Sequence, residues 1–173
     1  MRARAHGIGI ALMAAVLLAG CGQATVDTTE RDASGEVTQG GDVGVLKLRV
    51  GDCLDLSGMA EPGEDTVVES FTAIPCADPH QGEVFLVEED FFAATPEFPG
   101  QDEVFEQAGN RCVGPFGVFV GAPYDETELD FVTLAPTADS WAQDDRGIVC
   151  IAVSPTADGA ELETITGSLE GTG

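Results

Sequence analysis

EVFLVEEDFFAATPEFPGQDEVFEQAGNRC, residues 83–112, changes its period halfway along. Val84, Phe85, Leu86 and Val87 form an unbroken apolar run of strand length, so Glu83 to Glu88 is expected to be a buried strand. Two prolines between Thr95 and Gly100 then break the chain. From about Gln101 the apolar residues fall at Val104, Phe105, Ala108 and Cys112, the i, i+1, i+4, i+8 stripe of a helix. Gly114-Pro115 is expected to interrupt that helix, because proline suits the first turn of a new helical segment. Phe116, Val118, Phe119 and Val120 are core candidates beyond it.

Both flanks of this stretch read as strands. Upstream, Leu46-Lys47-Leu48-Arg49-Val50 alternates and predicts a half-buried strand, with Gly51-Asp52-Cys53 turning out of it. Glu61 to Asp65 is expected to be an exposed loop, and Thr66 to Ile74 a second strand ending at Pro75-Cys76. Ala77-Asp78-Pro79-His80 is a turn. Downstream, Phe131 to Leu134 and Ile148 to Val153 predict strands, and Leu162 to Leu169 a last edge strand. Residues 135–139 (APTAD) and 154–158 (SPTAD) echo each other as two similar turns. Strands in runs with one helical region predict an α+β fold: a small, mainly antiparallel sheet with one principal helical region.

The N-terminus carries a different signal. Met1 to His6 is a short basic segment without acids, and Gly7 to Gly20 is apolar or small throughout. That run is shorter than the ~20 apolar residues a membrane span needs, and it has the form of a signal-peptide core. It ends Leu17-Leu18-Ala19-Gly20-Cys21, which resembles the lipobox of bacterial lipoproteins. The resemblance implies removal of residues 1–20 and acylation of Cys21, with diacylglycerol and palmitate-type chains. Two or more chains anchor stably where one does not. The location expected is the extracytoplasmic face of the cell membrane.

Residues 21–44 are Gly, Thr, Ser, Gln and acids with scattered Val and no sustained period. They are expected to be the lipid-bearing anchor and a flexible acidic tether. Residues 45–173 are expected to form one globular domain.

Charge narrows the function classes. The formal net charge is −24, and only Arg31, Lys47, Arg49, Arg111 and Arg146 lie beyond residue 20, against 31 acids. Nucleic acid is excluded as a partner, since its binding needs many Lys and Arg to displace counterions. An anionic lipid surface would likewise repel such a chain. A cationic partner or calcium remains an alternative.

Cys53, Cys76, Cys112 and Cys150 remain once Cys21 is taken by lipid, and four cysteines in an exported chain read as two disulfides. Three pairings exist. Cys53–Cys76 and Cys112–Cys150 are favoured because neighbouring pairs close the shorter loops. Each would stabilise by roughly 3–4 kcal/mol in the chain-entropy model. No C-x-x-C pair supports zinc, and no metal or cofactor is expected.

The same cysteines sit in a wider pattern. Gly51-Asp52-Cys53, Ile74-Pro75-Cys76 with Pro79-His80 and Glu83-Val84, and Phe98-Pro99-Gly100 lead into Ala108 with Cys112 and Phe119-Val120-Gly121. Pro136, Ser140-Trp141 and Asp145-Arg146 with Cys150 complete it. From about Val45 to Leu169 the chain resembles the septum-formation-related domain of bacterial envelope lipoproteins and membrane proteins. The resemblance implies an extracytoplasmic binding or accessory module with an envelope or division protein as partner, and no catalytic set. One departure is visible: Asp144 stands where the pattern has Gly before Asp-Arg.

Few residues suggest chemistry directly. His80 is the only histidine beyond residue 20, with Asp78 and Glu83 close in sequence. As a general base it would need a positioned partner and a substrate; as a turn residue it needs only backbone hydrogen bonds. The structural role is favoured. Trp141 and Arg146 suit a cation–π pair, or a recognition patch together with His80, since aromatics and Arg dominate binding hot spots. G-x-S-x-G, S-x-x-K, EF-hand spacing and phosphate-cradling Gly loops are all absent from the sequence. The expected function is therefore a lipid-anchored, non-catalytic envelope module. The alternatives are a small hydrolase using His80 with a carboxylate, or a calcium-responsive surface protein.

Overall fold

A computed structural model describes residues 26–57, 59 and 68–173. The signal segment, Cys21 and the loop expected over Glu61–Asp65 lie outside the described residues. Among the described residues eight strands run in chain order: β1 (Glu30–Arg31), β2 (Val37–Gln39), β3 (Gly41–Gly44), β4 (Cys53–Asp55), β5 (Ser70–Ile74), β6 (Gly82–Glu88), β7 (Asp130–Leu134) and β8 (Ile148–Val153). The helices are α1 (Gln101–Val120) and the four-residue α2 (Ala138–Trp141). Strands β1 and β2 form a small ribbon. The other six form one sheet in the order β3-β5-β4-β6-β8-β7, antiparallel at every pairing. The fold is α+β, as expected.

Strand β8 shows why its sequence does not alternate. Val149, Ile151 and Val153 point into a cluster with Val43, Leu54, Phe71, Ala73 and Val84 on one face of the sheet. Cys150 and Ala152 point the other way, against Cys112, Phe116 and Val120 of α1, and Ile148 meets Val104, Ala108 and Trp141. A strand covered on both faces reads as a continuous apolar run.

Helix α1 is one element, not two. Pro115 lies inside it, and the helix continues to Val120. Proline at this position removes one backbone hydrogen bond. Against that, Val104, Ala108, Cys112, Phe116 and Val120 are all fully buried, an unbroken i, i+4 series that ties the second half of the helix to the core. Val118, expected in the core, is 86% exposed because it faces away from this series. The helix stops at Gly121, whose φ of 87° is left-handed and whose N–H donates to the Gly117 carbonyl.

Three further expectations are corrected. Residues 26–44 are not a free tether: β3 pairs with β5, Val37 and Val43 are buried, and the Arg31 guanidinium grips the buried Asp52. Gly40 and Gly41 mark close backbone approach there. A Cβ on Gly40 would sit 2.9 Å from the Ala73 carbonyl oxygen, and one on Gly41 2.7 Å from Thr28. Leu46–Val50 is no strand but a 3-10 turn over Val45–Lys47, in which Leu48 alone is buried while Leu46 and Val50 face solvent. Leu162–Leu169 forms no strand: its β-pairing is limited to isolated bridges, Pro155 to Leu162 and His80 to Ile165. The left-handed backbone at Gly167 does not continue a strand.

Both disulfides form with the expected pairing. Cys112–Cys150 ties α1 to β8, and Cys53–Cys76 ties β4 to the turn after β5.

Candidate functional site

The sequence-predicted residues fall into two separate groups. In the register of β6 and β8, Gly82 pairs with Val153 and Glu88 with Ile148. His80 lies just before one end of this pairing, and Arg146 just before the other. Six strand steps at ~3.3 Å each set the two ends roughly 20 Å apart. His80, Trp141 and Arg146 therefore do not form one patch.

At the first end, His80 is fully buried. Its backbone exchanges two hydrogen bonds with Ile165, and its Nδ1 lies 2.8 Å from the Asp78 carbonyl oxygen. Its Nε2 has no partner among the described residues. Closing the Asp78-Pro79-His80 turn accounts for the ring's position. Three residues on, Glu83 is buried too. The Leu169 N–H donates to its Oε2 at 2.7 Å, and the Ser168 hydroxyl donates to its Oε1 at 2.9 Å. Burial pushes the Glu83 carboxyl above its ordinary value; the two hydrogen bonds and the nearby His80 oppose that rise in part.

Glu83 also lies opposite Cys53 in the β4–β6 register, so the two side chains share one face of the sheet. A Glu83 carboxylate oxygen and the sulfurs of Cys53 and Cys76 all lie within 4.8 Å of one another. The sulfurs are bonded to each other, so they are not thiolate ligands for a metal. Sequence reading placed Glu83 at the start of a strand, in the family pattern and near His80, but not beside a cysteine. Its place beside the disulfide follows from strand register, which spacing along the chain does not reveal.

At the other end, Trp141 is buried between Phe92 and Phe98, each with its ring centroid 5.4 Å away. The Arg146 guanidinium lies 4.0 Å over the indole and donates to the carbonyls of Trp141 and Asp145. The expected cation–π pair is present, and it serves packing. Thr137 and Ser140 cap α2 reciprocally, which fixes where Trp141 enters the core. The loop after α2 passes through Asp144 at φ 66°, left-handed for a non-glycine residue. The left-handed backbone gives glycine, the residue expected there from the family pattern, its physical reason.

A third feature escaped the sequence reading. The turn over residues 46–50 exposes Leu46 and Val50 together with Lys47 and Arg49, two of the five cations beyond residue 20. Beside it opens a shallow cleft lined by Ser34, Glu36, Arg49 and Val50. The alternation that suggested a strand here instead presents the apolar and basic side chains to solvent.

Among the described residues no helix is long and apolar enough to cross a membrane. A family model described as septum formation matches residues 50–172, which span β4 to the C-terminal segment. No curated protein and no solved structure matches the chain.

Proposed function

Because the chain belongs to the septum-formation family, we propose that it is a non-catalytic binding or accessory module of the bacterial envelope, held by lipid on Cys21 at the extracytoplasmic face of the membrane. The family match is the observation that carries this reading, and the septum-formation family is not a known enzyme family. The lipobox-like Leu17 to Cys21 supports the anchoring.

The site geometry favours binding over hydrolysis. A general base must reach a substrate proton, and His80 is sealed from solvent with Ile165 paired along its backbone. A surface that suits a protein partner is the turn of Leu46, Lys47, Arg49 and Val50, where exposed apolar and cationic groups lie side by side on a strongly acidic chain.

Crosslinking in living cells tests this, with the full lipoprotein and a Cys21→Ala control. Reproducible capture of division or wall-synthesis proteins, reduced by Leu46→Glu with Val50→Glu, is expected. Clean membrane anchoring with no specific capture would overturn the binding role. Fractionation with the soluble pool instead of the membrane would overturn the anchoring.

A further inference from the structure

The two disulfides differ in their surroundings. Cys112 and Cys150 are both fully buried, within the layer between α1 and the sheet. Cys53 is equally buried, but Cys76 is partly exposed in the turn after β5. The Cys53–Cys76 bond has the buried carboxyl of Glu83 against it, and among the described residues no Asp, Glu or His lies as close to Cys112–Cys150. Among the described residues no Lys or Arg forms an ion pair with Glu83. Two hydrogen bonds hold the Glu83 oxygens in place, and burial without a neutralising cation favours the protonated carboxyl beside the sulfurs. The C-terminal segment holds both parts of the site: Ser168 and Leu169 fix the Glu83 oxygens, and the Gly167 N–H donates to the Cys76 carbonyl at 2.6 Å.

We propose that Cys53–Cys76 is an exchangeable disulfide whose reaction partner is a cysteine thiolate on another exported protein, with Glu83 handling the proton. The incoming thiolate attacks Cys76 Sγ, the partly exposed residue of the pair, and forms a new sulfur–sulfur bond there. The Cys53–Cys76 bond breaks, and its electron pair leaves on Cys53 Sγ. The Glu83 carboxyl gives its proton to that sulfur and becomes a carboxylate. In the reverse direction the carboxylate takes the proton back, and the Cys53 thiolate attacks Cys76 and expels the partner's thiolate. Exchange in this form consumes no outside oxidant or reductant. The groups facing Glu83 are His80 from the turn before β6 and Glu170 from the C-terminal segment, besides the cystine itself. The proposal does not depend on the septal role.

The test treats the oxidised full-length protein with glutathione, its thiolate concentration held constant from mildly acidic to mildly basic pH. Free thiols are then trapped and the cysteines mapped by mass spectrometry. Cys53–Cys76 is expected to open at least about tenfold faster than Cys112–Cys150, with the glutathione adduct on Cys76. The rate per thiolate falls as pH rises through the elevated Glu83 titration. Glu83→Gln slows opening by about tenfold at the acidic end, and the two proteins converge at the basic end. Simultaneous opening of both disulfides, an adduct on Cys53, or a Glu83→Gln rate equal to or above wild type at every pH would overturn the proposal. Where Glu83→Gln fails to fold, Ser168→Ala removes a hydrogen bond to the carboxylate and keeps the acid. It is expected to move the pH profile upward, and an unmoved profile refutes the proton role.

Discussion

Arg31→Met tests whether the N-terminal segment belongs to the fold. Arg31 Nη1 and Nη2 reach the two Asp52 carboxylate oxygens at 2.5 and 3.1 Å, and the side chains are 9% and 2% exposed. Removing the guanidinium leaves a buried carboxylate with the Arg49 N–H as its remaining hydrogen-bond donor. Breaking a buried pair from one side costs roughly 3–5 kcal/mol. The Arg49 hydrogen bond persists, so about 3 kcal/mol is expected. In a chain of this size that lowers the melting temperature by about 10 °C. Guanidinium denaturation followed by circular dichroism measures it, and an unchanged m-value confirms that the same surface unfolds. Arg31→Met combined with Asp52→Leu should recover most of the loss, because neither charge is then stranded. A loss below about 0.5 kcal/mol for Arg31→Met would show that residues 26–44 lie outside the cooperative unit.

Four further outcomes are expected. Trp141→Ala should cost about 3–5 kcal/mol in chemical denaturation through the cavity left beside Phe92 and Phe98, and His80→Ala about 1–3 kcal/mol through the lost turn closure. Asp144→Gly should raise stability by about 0.5–1 kcal/mol in the same assay, by relieving the left-handed backbone. The Glu83 carboxyl is raised in the folded state above its ordinary 4.5, so the folded chain binds this proton more tightly than the unfolded one. Its contribution is fully present below 4.5 and is lost as pH rises through the folded value. Unfolding free energy measured against pH should show that loss in the wild type relative to Glu83→Gln, and parallel curves would contradict it.

Much of the architecture was legible because burial leaves a periodic trace. Ile148–Val153 is a continuous apolar run and forms β8 over those same residues. The stripe from Val104 to Cys112 marked α1, and its continuation through Phe116 and Val120 outweighed the local signal of Pro115. The N-terminal strands were not legible for a physical reason. Glycine provides flexibility and also permits close approach, and at Gly40 and Gly41 only the facing backbone of Ala73 and Thr28 distinguishes the two. Alternation misled at Leu46–Val50, since a strand also needs a neighbouring backbone to pair with. In the site, residue types were visible but their distances were not. His80 and Trp141 drew notice as rare side chains and became packing, whereas Glu83, one acid among 31, gained its position from the strand opposite.

The folding of the N-terminal segment also sets a leash length. The described chain begins at Val26, five residues after Cys21. Five residues at full stretch span at most about 18 Å. Were Cys21 lipidated as proposed, the domain could not range as far from the membrane as a spacer running to residue 44 would allow. Val26 would then lie within that distance of the membrane surface, and a partner would have to meet the domain there.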